Sequence, residues 1–202
     1  MALWLSDAPL VLASRSVSRA NLLTAAGIPI EVLPADIDER GIEARAVSKD
    51  ARAAALLLAV EKARVIAVQR PGRLVLGADQ TLALGARRFS KPADRAAAVE
   101  QLQSLRGTTH ALNSAVAVMR DGDLLFEHVE TARLTMRNFS DTFLGEYLER
   151  VGDSALASVG GYQLETLGVQ LFESIQGDYF TILGLPLMSV LDFLRRDGCL
   201  AD

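Results

Sequence analysis

Leu74-Val-Leu-Gly-Ala-Asp-Gln-Thr-Leu-Ala-Leu84 decides the fold. Two apolar runs meet at a Gly-Ala break, which delivers one carboxylate, Asp79. Bounded apolar runs of this length read as strands buried in a sheet. An Asp inside such a run is costly unless it is paired, hydrogen-bonded or bound to metal. Two readings of Asp79 stand at this level. One is a structural group accepting backbone hydrogen bonds at a strand bend; the other is a functional carboxylate.

Upstream, Pro71-Gly72 closes a long Ala- and Leu-rich helix expected over 51–69. At about 100° per residue, Lys62 falls on the apolar stripe with Ala55, Leu58 and Ile66, away from Glu61 and Arg64. A lysine there either snorkels outward or turns its ammonium into a cleft. Nearer the start, Pro9–Ala13 reads as a strand that feeds a helix over 20–26, stopped by Gly27. Between them stands Ser14-Arg-Ser-Val-Ser-Arg19. Hydroxyls, backbone N–H groups and arginine at such a junction suit an anion, and they equally suit ordinary helix capping. A short strand over 28–34 precedes Asp36, Asp38 and Glu39, read as an acidic loop. Grouped carboxylates suit Mg²⁺ or Mn²⁺, and they equally suit a solvated loop.

Downstream, Gly85-Ala-Arg-Arg88 reads as a turn, and Lys91 precedes Pro92 in extended backbone. Asp94 caps an expected helix carrying Ala98, Leu102 and Leu105 on one face. The alternating runs 108–119 and 124–137 flank Arg120-Asp-Gly-Asp123, a hairpin signal. An antiparallel pair in a chain that otherwise alternates strand and helix implies a mixed sheet. His110 and Ser114 share one face of the first run at a spacing too long for nucleophilic contact, so His110 reads as structural. An amphipathic helix is expected over 140–150, then a Gly-rich segment over 158–168 that contains Glu165. A short helical turn is expected over 170–177, a strand or extended loop over 178–184, and a last helix with Pro186 as its first residue.

The bulk numbers exclude several classes. In 202 residues, half are hydrophobic and 23% charged, which suits one packed domain. A net charge of −4 argues against binding nucleic acid polymers. With Cys199 alone there is no intrachain disulfide, and two histidines do not make a multi-histidine zinc centre. No apolar stretch reaches membrane-spanning length, and Met1–Asp7 lacks a secretory pattern, so a cytoplasmic protein with no membrane partner is expected.

In chain order the candidates are Ser14, Arg19, Glu39, Lys62, Asp79, Lys91 and Glu165. Cations and carboxylates at element ends suit a polyphosphate ligand. These residues carry a resemblance. The chain resembles the Maf-like (septum formation) nucleoside triphosphate pyrophosphatases over almost its whole length. Ser14-Arg-Ser-Val-Ser-Arg-Ala-Asn-Leu-Leu23 matches the family's first motif, with Ser18 where the first of two arginines stands. Asp38-Glu39, Lys62-Ala63, Gly77-Ala-Asp79, Lys91-Pro92 and Gly107-Thr-Thr-His110 match further motifs in order. The ending matches over Phe172–Tyr179 and Gly184–Leu187.

The resemblance implies an α/β fold: a mixed sheet with flanking helices, one two-lobed domain over 1–202, and two lobes around a central nucleotide-binding cleft. It implies hydrolysis of a nucleoside triphosphate to monophosphate and pyrophosphate with Mg²⁺ or Mn²⁺, in a homodimer. On its terms Asp79 is the general base or the group that orients the attacking water, an ordinary carboxylate held ionised by its neighbours, while Lys62 and Lys91 contact the phosphates and stabilise developing charge. Ser14 and Arg19 bind triphosphate oxygens, and Glu39 binds metal together with Asp79. Gln80 and Glu165 resemble the 7-methyl-GTP branch, although Thr166 and Val17-Ser18-Arg19 depart from it. The expected substrate is therefore a nucleoside triphosphate, leaning to a modified purine. The alternative is a nucleotide-binding regulator of cell division without turnover.

Overall fold

The computed structural model describes residues 3–45 and 50–201. In chain order the elements are β1 (Leu10–Ala13), α1 (Val17–Ala25), β2 (Ile30–Val32), α2 (Glu39–Arg45), α3 (Ala51–Gln69), β3 (Val75–Leu84), β4 (Arg87–Phe89) and α4 (Arg95–Leu105). Then come β5 (Thr109–Arg120), β6 (Asp123–Met136), α5 (Asp141–Val151), three 3-10 turns between 152 and 171, β7 (Phe172–Gln176), α6 (Tyr179–Ile182) and α7 (Leu187–Arg196). Seven strands form one mixed sheet in the order β2-β1-β3-β5-β6-β7, with β4 on β3. β1 runs parallel to both β2 and β3, whereas β4 and β7 pair antiparallel with β3 and β6.

The chain divides into two compact units. The first comprises 1–80, 113–130 and 179–202. Its sheet is buried on both faces, as the strand pattern requires. Alternate side chains serve opposite layers because a strand repeats every two residues. Val11, Ala13, Val75, Ala115 and Ala117 pack with Ala55, Ala59, Ala63 and Ile66 of α3. Leu10, Leu12, Leu76, Ala78, Val116 and Val118 pack with Leu23 of α1 and Leu187, Val190 and Leu194 of α7. Gly77 points toward α3 on the first of these faces. A Cβ there would stand 2.1 Å from the Ala59 carbonyl oxygen and 2.6 Å from the Ala63 nitrogen. Any side chain would therefore force α3 off the sheet.

The second unit comprises 81–112 and 131–178. Asp94 and Ser140 cap α4 and α5 by accepting from Ala97 N and Phe143 N. The unit buries His110, whose Nε2 lies 2.7 Å from the Tyr162 hydroxyl, with Phe172 beside both rings. Burial pushes the imidazole down to about 4 from 6.5. Between those values the unfolded chain binds a proton that the folded chain refuses, so stability falls as pH drops through this window. The full shift corresponds to about 3 kcal/mol. Urea midpoints at pH 7 and pH 4.5 check this: His110→Phe is expected to lose markedly less stability than wild type on acidification. Equal losses would show that His110 is not held neutral.

Five local expectations are overturned. Glu39 opens a helix rather than lying in a loop, because the Asp38 carboxylate accepts from Gly41 N and its carbonyl from Ile42 N. The segment after Gly85 continues into β4, making a hairpin with β3. Residues 172–176 form a strand, held by pairing with β6, where a helical turn was expected. Residues 179–182 form a helical turn, where extended backbone was expected. Pro186 stands just before α7 as its cap rather than inside it. Among the described residues no helix is long and apolar enough to cross a membrane.

Candidate active site

β1 and β3 are in register with Ala13 opposite Gly77, so the Ser14 turn adjoins the next residues of β3. Ligand sites in open α/β sheets gather at such carboxyl ends of parallel strands. Asp79 shares the α3-facing side of β3 with Gly77. The Lys62 ammonium meets it there, with Nζ 2.6 Å from Asp79 Oδ1. The same Nζ lies 2.7 Å from Glu39 Oε1. The Lys62 and Asp79 side chains are each 12% exposed, whereas that of Glu39 is 52% exposed. One lysine thus holds a buried carboxylate and a half-exposed one together. The tight approach at Gly77 sets this spacing, since Ala59 and Ala63 bracket Lys62 on α3.

The ordinary, ionised Asp79 that was expected is replaced by a perturbed one. Burial pushes its carboxyl above the usual range, further than Lys62 and then Arg19 pull it back. Such a carboxylate is a stronger proton acceptor than a solvated one once ionised.

On the other side of the motif, Ser16 caps α1 by accepting from Arg19 N at 3.3 Å. The Arg19 side chain turns inward and is 8% exposed. Nε donates to the Gly184 carbonyl at 2.8 Å. Nη1 donates to Ser14 Oγ at 2.9 Å and to the Ala78 carbonyl at 2.8 Å. Burial lowers the guanidinium's pKa, opposed by the nearby charges of Asp79 and Glu39.

Gln80 follows Asp79 and so faces the opposite layer. Its Nε2 donates to Ser114 Oγ at 2.9 Å, the Ile182 carbonyl at 3.0 Å and the Thr181 carbonyl at 3.2 Å. Ser114 in turn donates to the Thr181 carbonyl at 2.7 Å. These acceptors fix which end of the amide faces inward.

The first unit therefore brings together Ser14, Arg19, Glu39, Lys62, Asp79 and Gln80. Lys91 and Glu165 belong to the second unit, where both are exposed, Lys91 in extended backbone before Pro92 and Glu165 in a turn. Sequence reasoning missed the supporting residues Ser114, Gly184 and Gly77 in these roles. The available signals were Ser114, a polar residue opening the run Ala115–Met119, and the two glycines' places in the quoted motifs.

Glu39 and Asp79 are hard oxygen donors converging on one positive centre. Among the described residues no group of three or more His, Cys, Asp or Glu side chains could hold an ion. Two carboxylates nevertheless fit Mg²⁺, which is usually bound by one or two carboxylates with substrate phosphates and water.

The chain is similar to known proteins over nearly its whole length. A Rhodopseudomonas palustris protein named nucleoside triphosphate pyrophosphatase is 58% identical over 202 residues, covering all of both chains. A Brucella abortus protein named 7-methyl-GTP pyrophosphatase is 51% identical over 193 residues, covering 95% of this chain and 97% of the other. Among solved structures, a HAM1 protein from Coxiella burnetii aligns with a TM-score of 0.42 at 18% identity, covering 65% of this chain and 74% of that one. The Maf-like protein family matches residues 9–197. With that match spanning nearly the whole sequence, and with a relative at 58% identity over its full length, the chain belongs to the Maf family.

Proposed function

We propose that this nucleoside triphosphate pyrophosphatase uses Asp79 as the base for attack of water on the α-phosphorus. The water oxygen bonds to the α-phosphorus, and its proton passes to Asp79. The bond between the α-phosphorus and the α–β bridging oxygen breaks, and pyrophosphate leaves with that oxygen and the electron pair. Lys62 stabilises the charge that builds on the phosphates. The observation that carries this reading is the single Lys62 ammonium shared by Asp79 and Glu39 at the strand ends. Mg²⁺ or Mn²⁺, held by Glu39 and Asp79, would supply charge neutralisation for the triphosphate. Cytoplasmic residence and a homodimer remain part of the proposal, supported by family resemblance.

For the base, the proposal favours guanine, with which the orientation of Gln80 is consistent. Its Nε2 is committed to the protein, so Oε1 offers an acceptor. Guanine presents N1–H and N2–H₂ donors, whereas uracil and thymine pair one donor with two acceptors. The Brucella relative's name points the same way. The test is pyrophosphate release from a panel of 7-methyl-GTP, GTP, dTTP and UTP with Mg²⁺ or Mn²⁺. Turnover is expected, fastest on a guanine nucleotide. Tight binding without release from any of them would replace the enzyme with a nucleotide-binding regulator. Preference for dTTP or UTP would overturn the base assignment alone.

A further inference from the structure

We propose that Arg19 is a positioning residue that fixes the backbone at Asp79, and not a ligand for the triphosphate. The inference rests on the role of Asp79 given above. A guanidinium grips phosphate best through two adjacent N–H groups, either Nε with Nη2 or Nη1 with Nη2. Here both pairs are broken. Nε–H is spent on the Gly184 carbonyl, and both Nη1 hydrogens are spent on Ser14 Oγ and the Ala78 carbonyl. Phosphate could engage two adjacent donors only by stripping a protein acceptor from a buried cation, which leaves that acceptor unpaired.

The three acceptors come from three separate segments: the end of β1, the interior of β3, and the turn between α6 and α7. The Ala78 carbonyl belongs to the peptide group that joins Ala78 to Asp79. Holding it fixes the plane from which the Asp79 side chain departs. The residue on the other side, Gln80, is held by the carbonyls of Thr181 and Ile182 in the neighbouring α6. Asp79 is thus clamped before and after by groups anchored to residues 181–184. Gly184 is fitted to this duty. Its φ is +96°, and a Cβ there would lie 3.3 Å from Arg19 Nε. Glycine both turns the backbone and lets the guanidinium close on its carbonyl.

The test separates position from phosphate contact. Arg19→Lys keeps the charge and loses the planar fork. Gly184→Ala disturbs the same tie from the far side without touching any group assigned to phosphate. Both variants, checked for folding by circular dichroism, are assayed for kcat and KM on the best nucleotide of the panel. Binding of inorganic pyrophosphate with Mg²⁺ is measured by calorimetry. We expect kcat to fall roughly 10- to 100-fold in Arg19→Lys, the size of effect that a misplaced catalytic group produces. KM and the pyrophosphate Kd should stay within about threefold of wild type, on the ground that groups held by protein acceptors contribute little to ligand binding. Gly184→Ala should show the same pattern in weaker form. If Arg19→Lys does not fold, Gly184→Ala decides. A pyrophosphate Kd weakened more than tenfold in Arg19→Lys, whatever kcat does, overturns the inference. So does wild-type kcat in either folded variant. A wild type that turns over no nucleotide at all would remove the pyrophosphatase reading, and this inference with it.

Discussion

Lys62→Met is expected to lower kcat by about 10²- to 10³-fold, the range seen when one preorganised charge-stabilising donor is removed. Lys62 does two things at once. It neutralises the Asp79 and Glu39 carboxylates in the free protein, and in the proposed reaction it takes up charge from the phosphates. Methionine keeps the length and apolar packing of the side chain along the buried stripe of α3, so the loss is one of charge. The stability effect is smaller than deletion of one partner from a sealed ion pair, which costs about 3–5 kcal/mol. Glu39 is half exposed and returns to water, and burial already raises the Asp79 carboxyl above its ordinary range. Steady-state pyrophosphate release and a thermal melt measure the two parts separately. A folded Lys62→Met variant within threefold of wild-type kcat would remove Lys62 from the chemistry.

How much of this was legible in the sequence depends on how local each cause is. Asp79 stood out because an apolar strand advertises any carboxylate inside it. Lys62 stood out because helical periodicity alone put it on a buried stripe, and the structure confirms a side chain only 12% exposed. The Asp121-Gly122 turn was legible from its own two residues, whose φ values of 52° and 92° require it.

The failures share the opposite property. Phe172–Gln176 is a strand because residues 133–136 of β6 supply its hydrogen bonds, a partner far off in the chain. Tyr179–Ile182 carries aromatic and β-branched residues that favour extended backbone, yet it turns helical. There Thr181 and Ile182 are buried, with their carbonyls accepting from Gln80 and, at Thr181, Ser114. Helix α2 is short, contains Gly41, and shows no apolar period; only the reach of Asp38 to Gly41 N marks its start. The raised carboxyl of Asp79 likewise reflects burial beneath α3, which no window of sequence reports. Nor does the inward turn of Arg19, whose partners lie 5, 59 and 165 residues away.

Asp79→Asn is expected to give the largest loss of all. Asparagine matches aspartate in shape, and its Oδ1 still accepts from Lys62, so the fold and the close approach of α3 are preserved. What disappears is the ability to receive the proton of the attacking water. Loss of a positioned general base costs about 10²- to 10⁴-fold. Nucleotide binding should hold, since removing one negative charge beside a triphosphate weakens repulsion rather than attraction. The decisive measurement is therefore pyrophosphate release at saturating nucleotide by folded Asp79→Asn beside wild type. Turnover below about one-hundredth of wild type, with nucleotide affinity retained, is the predicted result; turnover equal to wild type would contradict the account at its centre.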